Sequence, residues 1–150
     1  MKRVQKRKKD FLNNKTRRVI SITLLVIWTI FIFKNSMEPA VVSSEKSVAV
    51  TSFIGGMLSE KIVRKCAHIF EYAVLGTILG FIIKAFDKPV KNGTVFSLIL
   101  GLIIAISDEA IQLTSAGRSA QFSDVCIDCC GVIIGLFLFI ILFLRNNDYR

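Results

Sequence analysis

Arg64, His68 and Glu71 stand at i, i+4 and i+7, one stripe of an α-helix, with Lys65 beside the first of them. Asp108 and Gln112 repeat the i, i+4 spacing with Glu109 adjoining, and Asp124 and Asp128 repeat it again. Arg118 falls between these last two groups. The only imidazole of the chain is thus accompanied by carboxylates and by guanidinium and ammonium groups. Histidine is the side chain best suited to proton transfer near neutral pH. A carboxylate can orient it, activate water or act as a nucleophile, and a cation can stabilise charge in a transition state. Arginine and lysine also bind phosphate, arginine through forked hydrogen bonds. His68, Glu71 and Asp108 are therefore the catalytic candidates, with His68 as general acid/base held by Glu71 or Asp108. Arg64, Lys65, Glu109, Gln112, Arg118, Asp124 and Asp128 are the candidates for binding.

His68 and the five carboxylates also offer donors to a divalent ion. A single histidine and the lack of an HExxH-like spacing weigh against it, so no metal and no cofactor is expected. There is no Gly-rich phosphate loop and no three-part signature of lipid phosphatases. The cysteines Cys66, Cys126, Cys129 and Cys130 lack both zinc-ribbon spacing and a thioredoxin-like context, and read as small apolar helix residues.

The elements that hold these groups are set by hydropathy. The chain has 150 residues, 53% of them hydrophobic, arranged in blocks separated by polar segments. Four blocks read as transmembrane helices, near residues 18–33, 61–83, 94–113 and 124–144, in an all-α polytopic membrane fold. The first block follows Met1–Arg18, which carries nine basic residues and one acidic one. That pairing describes a cytoplasmic flank drawn to anionic headgroups rather than a nucleic-acid arm. No small-x-small cleavage site follows Phe33, so the first span reads as uncleaved. Between the first two spans, residues 35–46 are polar and residues 48–58 are apolar but too short to cross, which suits a short helix lying in the interface or a segment that re-enters it. The domain plan is a basic tail over 1–18, a transmembrane domain over 19–144 and a short tail over 145–150.

Basic residues orient the spans. The N-terminal tail, Lys84, Lys88, Lys91, Arg145 and Arg150 share one side. Lys34, Lys46, Lys61, Arg64, Lys65 and Arg118 share the other, mixed with Glu38, Glu45, Glu60 and Asp124. The positive-inside rule then puts both termini in the cytoplasm of a multi-pass cell-membrane protein. It also brings the polar stripes of the second, third and fourth spans to similar depth at the outer face. A charge facing mid-bilayer lipid costs about 2.5–3.5 kcal/mol on insertion scales, so the stripes should face the bundle interior or a wet cavity. Mutual ion pairing that only fixes helix register is the alternative to a functional role. Gly76 and Gly80, and Gly131 and Gly135, have the i, i+4 spacing of close helix packing, within one chain or between copies in a homo-oligomer.

The run Arg64-Lys65-Cys66-Ala67-His68-Ile69-Phe70-Glu71-Tyr72-Ala73-Val74-Leu75-Gly76 resembles the RKxxHxxEYxxLG signature of the VanZ-like family. Asp108-Glu109-Ala110-Ile111-Gln112, then Gly117-Arg118, then Asp124 resembles that family's second motif. The resemblance covers roughly residues 20–144. The family often has Asn at the position of Asp128 and Pro at that of Ala116. It takes its name from a protein associated with resistance to the glycopeptide teicoplanin, and it implies an envelope-associated membrane protein with Tyr72 among the binding residues. The implied partners are membrane lipids or a lipid-linked cell-wall precursor, and no nucleic acid. Recognition of such a lipid is the first expectation and its hydrolysis or transfer, with His68 as acid/base, the second. A transporter is the third, and no internal repeat supports it.

Overall fold

The computed structural model describes the backbone of residues 2–53 and 55–144 and the side chains of residues 14–53 and 55–143. The expected tail over 145–150 and the side chains of the first thirteen residues lie outside that description. Every element among the described residues is helical: α1 (Lys2–Ser36), α2 (Ala40–Phe53), α3 (Glu60–Ala85), α4 (Val90–Gln112), α5 (Phe122–Phe139) and a π-helical turn over Ile140–Leu144. Four segments are long and apolar enough to cross a membrane: Asn14–Ser36, Glu60–Ala85, Val90–Gln112 and Phe122–Phe143. The 23 residues of the first rise about 34 Å, enough for a hydrocarbon core of about 30 Å. α2, with 14 residues, is too short to span and is the short helix expected between the first two crossings.

Boundaries differ from expectation where polar residues continue a helix. α1 starts at Lys2 rather than near Arg18, because the Lys, Arg and Gln of the basic segment are good helix formers. α4 starts at Val90, directly after Pro89, so Lys91 to Gly93 form its first turn and the expected loop shrinks to residues 86–89. α2 starts after Pro39, earlier than its apolar run indicates. In both cases the proline's fixed φ suits the start of a helix and cannot continue one from before.

The outside of the bundle is apolar. Val19, Ile27 and Ile30 of α1, Phe70 of α3, Phe96, Ile99 and Ile103 of α4, and Phe137 of α5 are all exposed. Such a belt would be an aggregation liability in water and is the ordinary surface of a protein in lipid. Inside, Ile32, Tyr72, Leu75, Leu79, Ile83, Ile104, Val132 and Leu136 form the core.

α3 and α5 make the most extensive contact, and α1 and α4 pack against this pair. Glycine permits it. A Cβ on Gly131 would lie 2.7 Å from the carbonyl oxygen of Ile69, and one on Gly76 or Gly135 would run into the facing backbone at Val132 or Ala73. The two glycine pairs therefore pack within one chain. At the far end from the polar stripes, Arg18 ties α1 to the end of α3 by donating from Nε to the Ala85 carbonyl at 3.0 Å and stacking over the Phe86 ring.

Gly135→Ala is expected to lower the melting temperature of the detergent-purified protein, by a destabilisation of about 1–3 kcal/mol. Ile133→Ala, at a lipid-facing position, should stay within about 0.5 kcal/mol of wild type. Equal melting of all three proteins would show that the close α3–α5 approach is absent.

Candidate functional site

One end of the bundle collects the polar side chains. The last turn of α1 supplies Asn35 and Ser36, and the first half of α3 supplies Arg64, Lys65, His68, Glu71 and Tyr72. The last turns of α4 supply Asp108, Glu109 and Gln112, the α4–α5 loop supplies Arg118, and the first turns of α5 supply Asp124 and Asp128. All the residues singled out from the sequence thus come to one region. Gly117 has a φ of 75°, a left-handed value that turns the loop just before Arg118. The Arg118 Nη2 donates to the Asn35 carbonyl at 3.4 Å. A backbone hydrogen bond from Ala40 to Ala116 holds the same loop against the start of α2.

Asp108 and Asp128 have no solvent exposure at all, and Glu109 and Gln112 are also buried. Asp108 accepts hydrogen bonds from the Ser36 hydroxyl and, at 3.2 Å, from the Gln112 amide. His68 Nδ1 lies 3.3 Å from Asp128 Oδ1. Glu71 accepts from the Asn35 amide at 2.8 Å, and its main-chain carbonyl accepts from the Trp28 indole at 2.9 Å. Glu109 accepts from the backbone N–H of Gln121. Lys65 pairs with Asp124 at 3.6 Å, near the surface. The buried Tyr72 hydroxyl lies in the field of Asp108, Asp128 and Glu71.

Two cavities open beside this cluster. The larger, about 420 Å³, is lined by Lys61, Arg64, Lys65 and Arg118 together with His68 and Asp128. The smaller, about 170 Å³, lies toward Asn35, Ser36 and α2, and Arg64, His68 and Arg118 line it too. Burial, and after it the nearby Arg64, hold the Arg118 guanidinium below the usual arginine pKa.

The model of the family described as VanZ/LLP1 matches residues 21–143, a stretch that contains every one of these side chains. The chain belongs to the VanZ/LLP1 family. No curated protein and no solved structure matches it.

In this VanZ/LLP1 protein the carboxylate against the histidine is Asp128, where Glu71 or Asp108 was expected. Helical spacing puts Glu71 on the His68 stripe, but its carboxylate turns to Asn35 of α1 instead. Four further contributors lie outside the expected catalytic and binding set: Trp28, Asn35, Ser36 and Ser115, whose hydroxyl donates to the Ser36 carbonyl at 2.9 Å. The one signal for them was an Asn-Ser pair directly after an apolar span. The cysteines are all free.

Ion pairing does not use up the cluster. Lys65–Asp124 and His68–Asp128 are the pairs formed within it, and among the described residues no carboxylate closes an ion pair on Arg64 or Arg118. Arg118 Nε is buried without a hydrogen-bond partner.

Ser36→Ala removes a donor from a fully buried carboxylate and should destabilise the protein by about 1–3 kcal/mol. Thermal unfolding in detergent checks this, and an unchanged melting temperature would mean that the hydroxyl does not hold Asp108.

Proposed function

We propose that this protein binds the phosphate-bearing headgroup of an anionic lipid, or of a lipid-linked cell-wall intermediate, at the outer leaflet of the cell membrane. The observation that carries this reading is the pair Arg64 and Arg118. Both line the two adjoining cavities, they lie close enough to repel one another, and among the described residues no carboxylate forms an ion pair with either, Asp108, Glu38 and Glu109 attracting Arg118 only from longer range. Holding two guanidinium groups half-buried and unpaired is unfavourable unless an anion completes them. A phosphate does so with forked hydrogen bonds. Lys61 and Lys65 extend the positive wall, and Gln112 and Asp124 supply groups for sugar hydroxyls or for orienting the cations. The apolar belt next to the cavity mouth suits the acyl or prenyl chain.

The outer-leaflet assignment draws on the basic flank of α1, which the positive-inside rule places in the cytoplasm. An odd number of crossings then separates that flank from the site. A glycopeptide (teicoplanin) response would follow from holding a cell-wall intermediate, as a consequence of binding rather than as a separate activity.

The contact between His68 and Asp128 favours a second reading, a small intramembrane hydrolase or transferase. There Asp128 orients the imidazole, His68 moves the proton, and the arginines stabilise charge on the transferring group. Turnover of a lipid-linked precursor that disappears in His68→Ala would select this reading over simple binding.

Lipid co-purifying with the protein, measured by mass spectrometry, should fall about tenfold or more in Arg64→Ala and in Arg118→Ala, in proportion to the charged hydrogen bonds lost. Retention at the wild-type level in both variants would sink the binding reading. For orientation, cysteines are introduced one at a time into a variant whose four native cysteines are replaced. A membrane-impermeant maleimide on intact cells should label Ser119→Cys and should label Lys91→Cys only after permeabilisation. The reverse pattern would place the site in the cytoplasm.

A further inference from the structure

The acidic half of the site holds a feature that headgroup binding by the arginines does not use. His68, Asp108 and Asp128 each present a donor atom, and the three lie within 4.8 Å of one another. They come from α3, α4 and α5 respectively. The His68 Nδ1 to Asp128 Oδ1 separation of 3.3 Å is close to the edge of a tetrahedron drawn around an ion with bonds of about 2.0 Å, which is about 3.3 Å. The contact is nevertheless not an aligned hydrogen bond, and His68 Nδ1 has no hydrogen-bond partner.

Asp128 supplies a second, independent observation. It has no solvent exposure; its Oδ1 has only the 3.3 Å contact with His68, which is not an aligned hydrogen bond, and its Oδ2 has no partner. A buried carboxylate answered on one oxygen by a single imidazole and on the other by nothing is costly to hold. Buried charges are regularly found paired with an opposite charge or coordinating a metal. The fully buried Tyr72 hydroxyl makes no aligned hydrogen bond and lies close to Asp108, in the field of the same two carboxylates. By contrast, Asp108 is fixed by Ser36 and Gln112. Hydrogen bonds of this kind, to a ligand rather than to the ion, orient carboxylates in metal sites.

We infer that His68, Asp108 and Asp128 form a binding site for one divalent transition-metal ion of the zinc or manganese class. Two carboxylates and a neutral imidazole carry a charge that one divalent ion cancels. One nitrogen and two oxygen donors suit zinc or manganese. Calcium demands more oxygens and copper(I) demands sulfur. His68 and Asp128 both line the 420 Å³ cavity, so an ion between them keeps an open position toward it for water or for an oxygen of a bound anion. The ligands come from three different helices, so no short sequence spacing announces them.

The site stands on other residues than Arg64 and Arg118 and does not rest on the headgroup reading. The test uses the full chain purified in detergent, stripped with EDTA and reloaded separately with Zn²⁺ or Mn²⁺. Bound metal is counted by plasma mass spectrometry. About one ion per chain is expected with at least one of the two. It should fall about tenfold or more in Asp128→Asn and in His68→Ala and stay the same in Glu45→Gln, an exposed acid on α2. The stripped wild-type protein should also melt several degrees higher after reloading, a readout that needs no variant to fold. No stoichiometric ion and no thermal shift with either metal would overturn the inference. Undiminished binding in both Asp128→Asn and His68→Ala would overturn it too, by placing the ion elsewhere. Arg118→Ala separates the two readings: it should retain the ion while losing lipid, so a lipid that stays bound to it counts against the headgroup alone.

Discussion

At Gly131 and Gly135 the backbone of α5 lies directly against that of α3, near Ile69 and Ala73, with no side chain between them. In lipid there is no hydrophobic force to bring helices together, so close van der Waals packing of small residues does that work. The contact also sets the register. His68 immediately precedes Ile69, and Asp128 lies one turn before Gly131, so the approach of the two backbones carries the carboxylate to the imidazole. Thr77, one turn beyond Ala73, reaches across the contact, with its hydroxyl donating to the Gly135 carbonyl of α5 at 3.5 Å. α1 and α4 add Asn35, Ser36, Asp108 and Gln112 around a centre that α3 and α5 have already fixed.

The charges that this packing gathers are only partly paired. Asp108, Asp128 and Glu71 surround a single imidazole. Arg64 and Arg118 line the two cavities, with Asp128 in the wall of one and Glu71 in that of the other, and close no ion pair. Several of these groups are held by neutral partners instead of by opposite charges: Asp108 by Ser36 and Gln112, Glu71 by Asn35, and Arg118 by the Asn35 carbonyl. The proposed anion site draws on the two arginines, and the proposed cation site on the buried acids. His68 lies at the boundary and touches both cavities.

The four crossings were legible because a bilayer sets a minimum length of apolar sequence, and the gathering of the polar stripes followed from topology alone. The glycine pairs announced close packing by their spacing. What could not be read was rotation. A helical stripe such as Arg64–His68–Glu71 shows which side chains share a face, but not which neighbour that face meets. So spacing offers Glu71 or Asp108 as the partner of His68, whereas the imidazole meets Asp128 and the Glu71 carboxylate meets Asn35. The metal-like triangle was hidden for the same reason, since its corners lie on three helices separated by 40 and 20 residues of sequence. The earlier starts of α2 and α4 were marked by Pro39 and Pro89, a local signal outweighed by the apolar runs that begin later.

The proposal that Arg64 and Arg118 are held ready for an anion meets its sharpest test in a structure of the protein extracted with its native lipids. Phosphate-sized density is expected in the larger cavity, within hydrogen-bonding distance of both guanidinium groups. An empty or collapsed cavity, with Arg64 and Arg118 folded onto Asp108, Glu109 or Asp124, would contradict it.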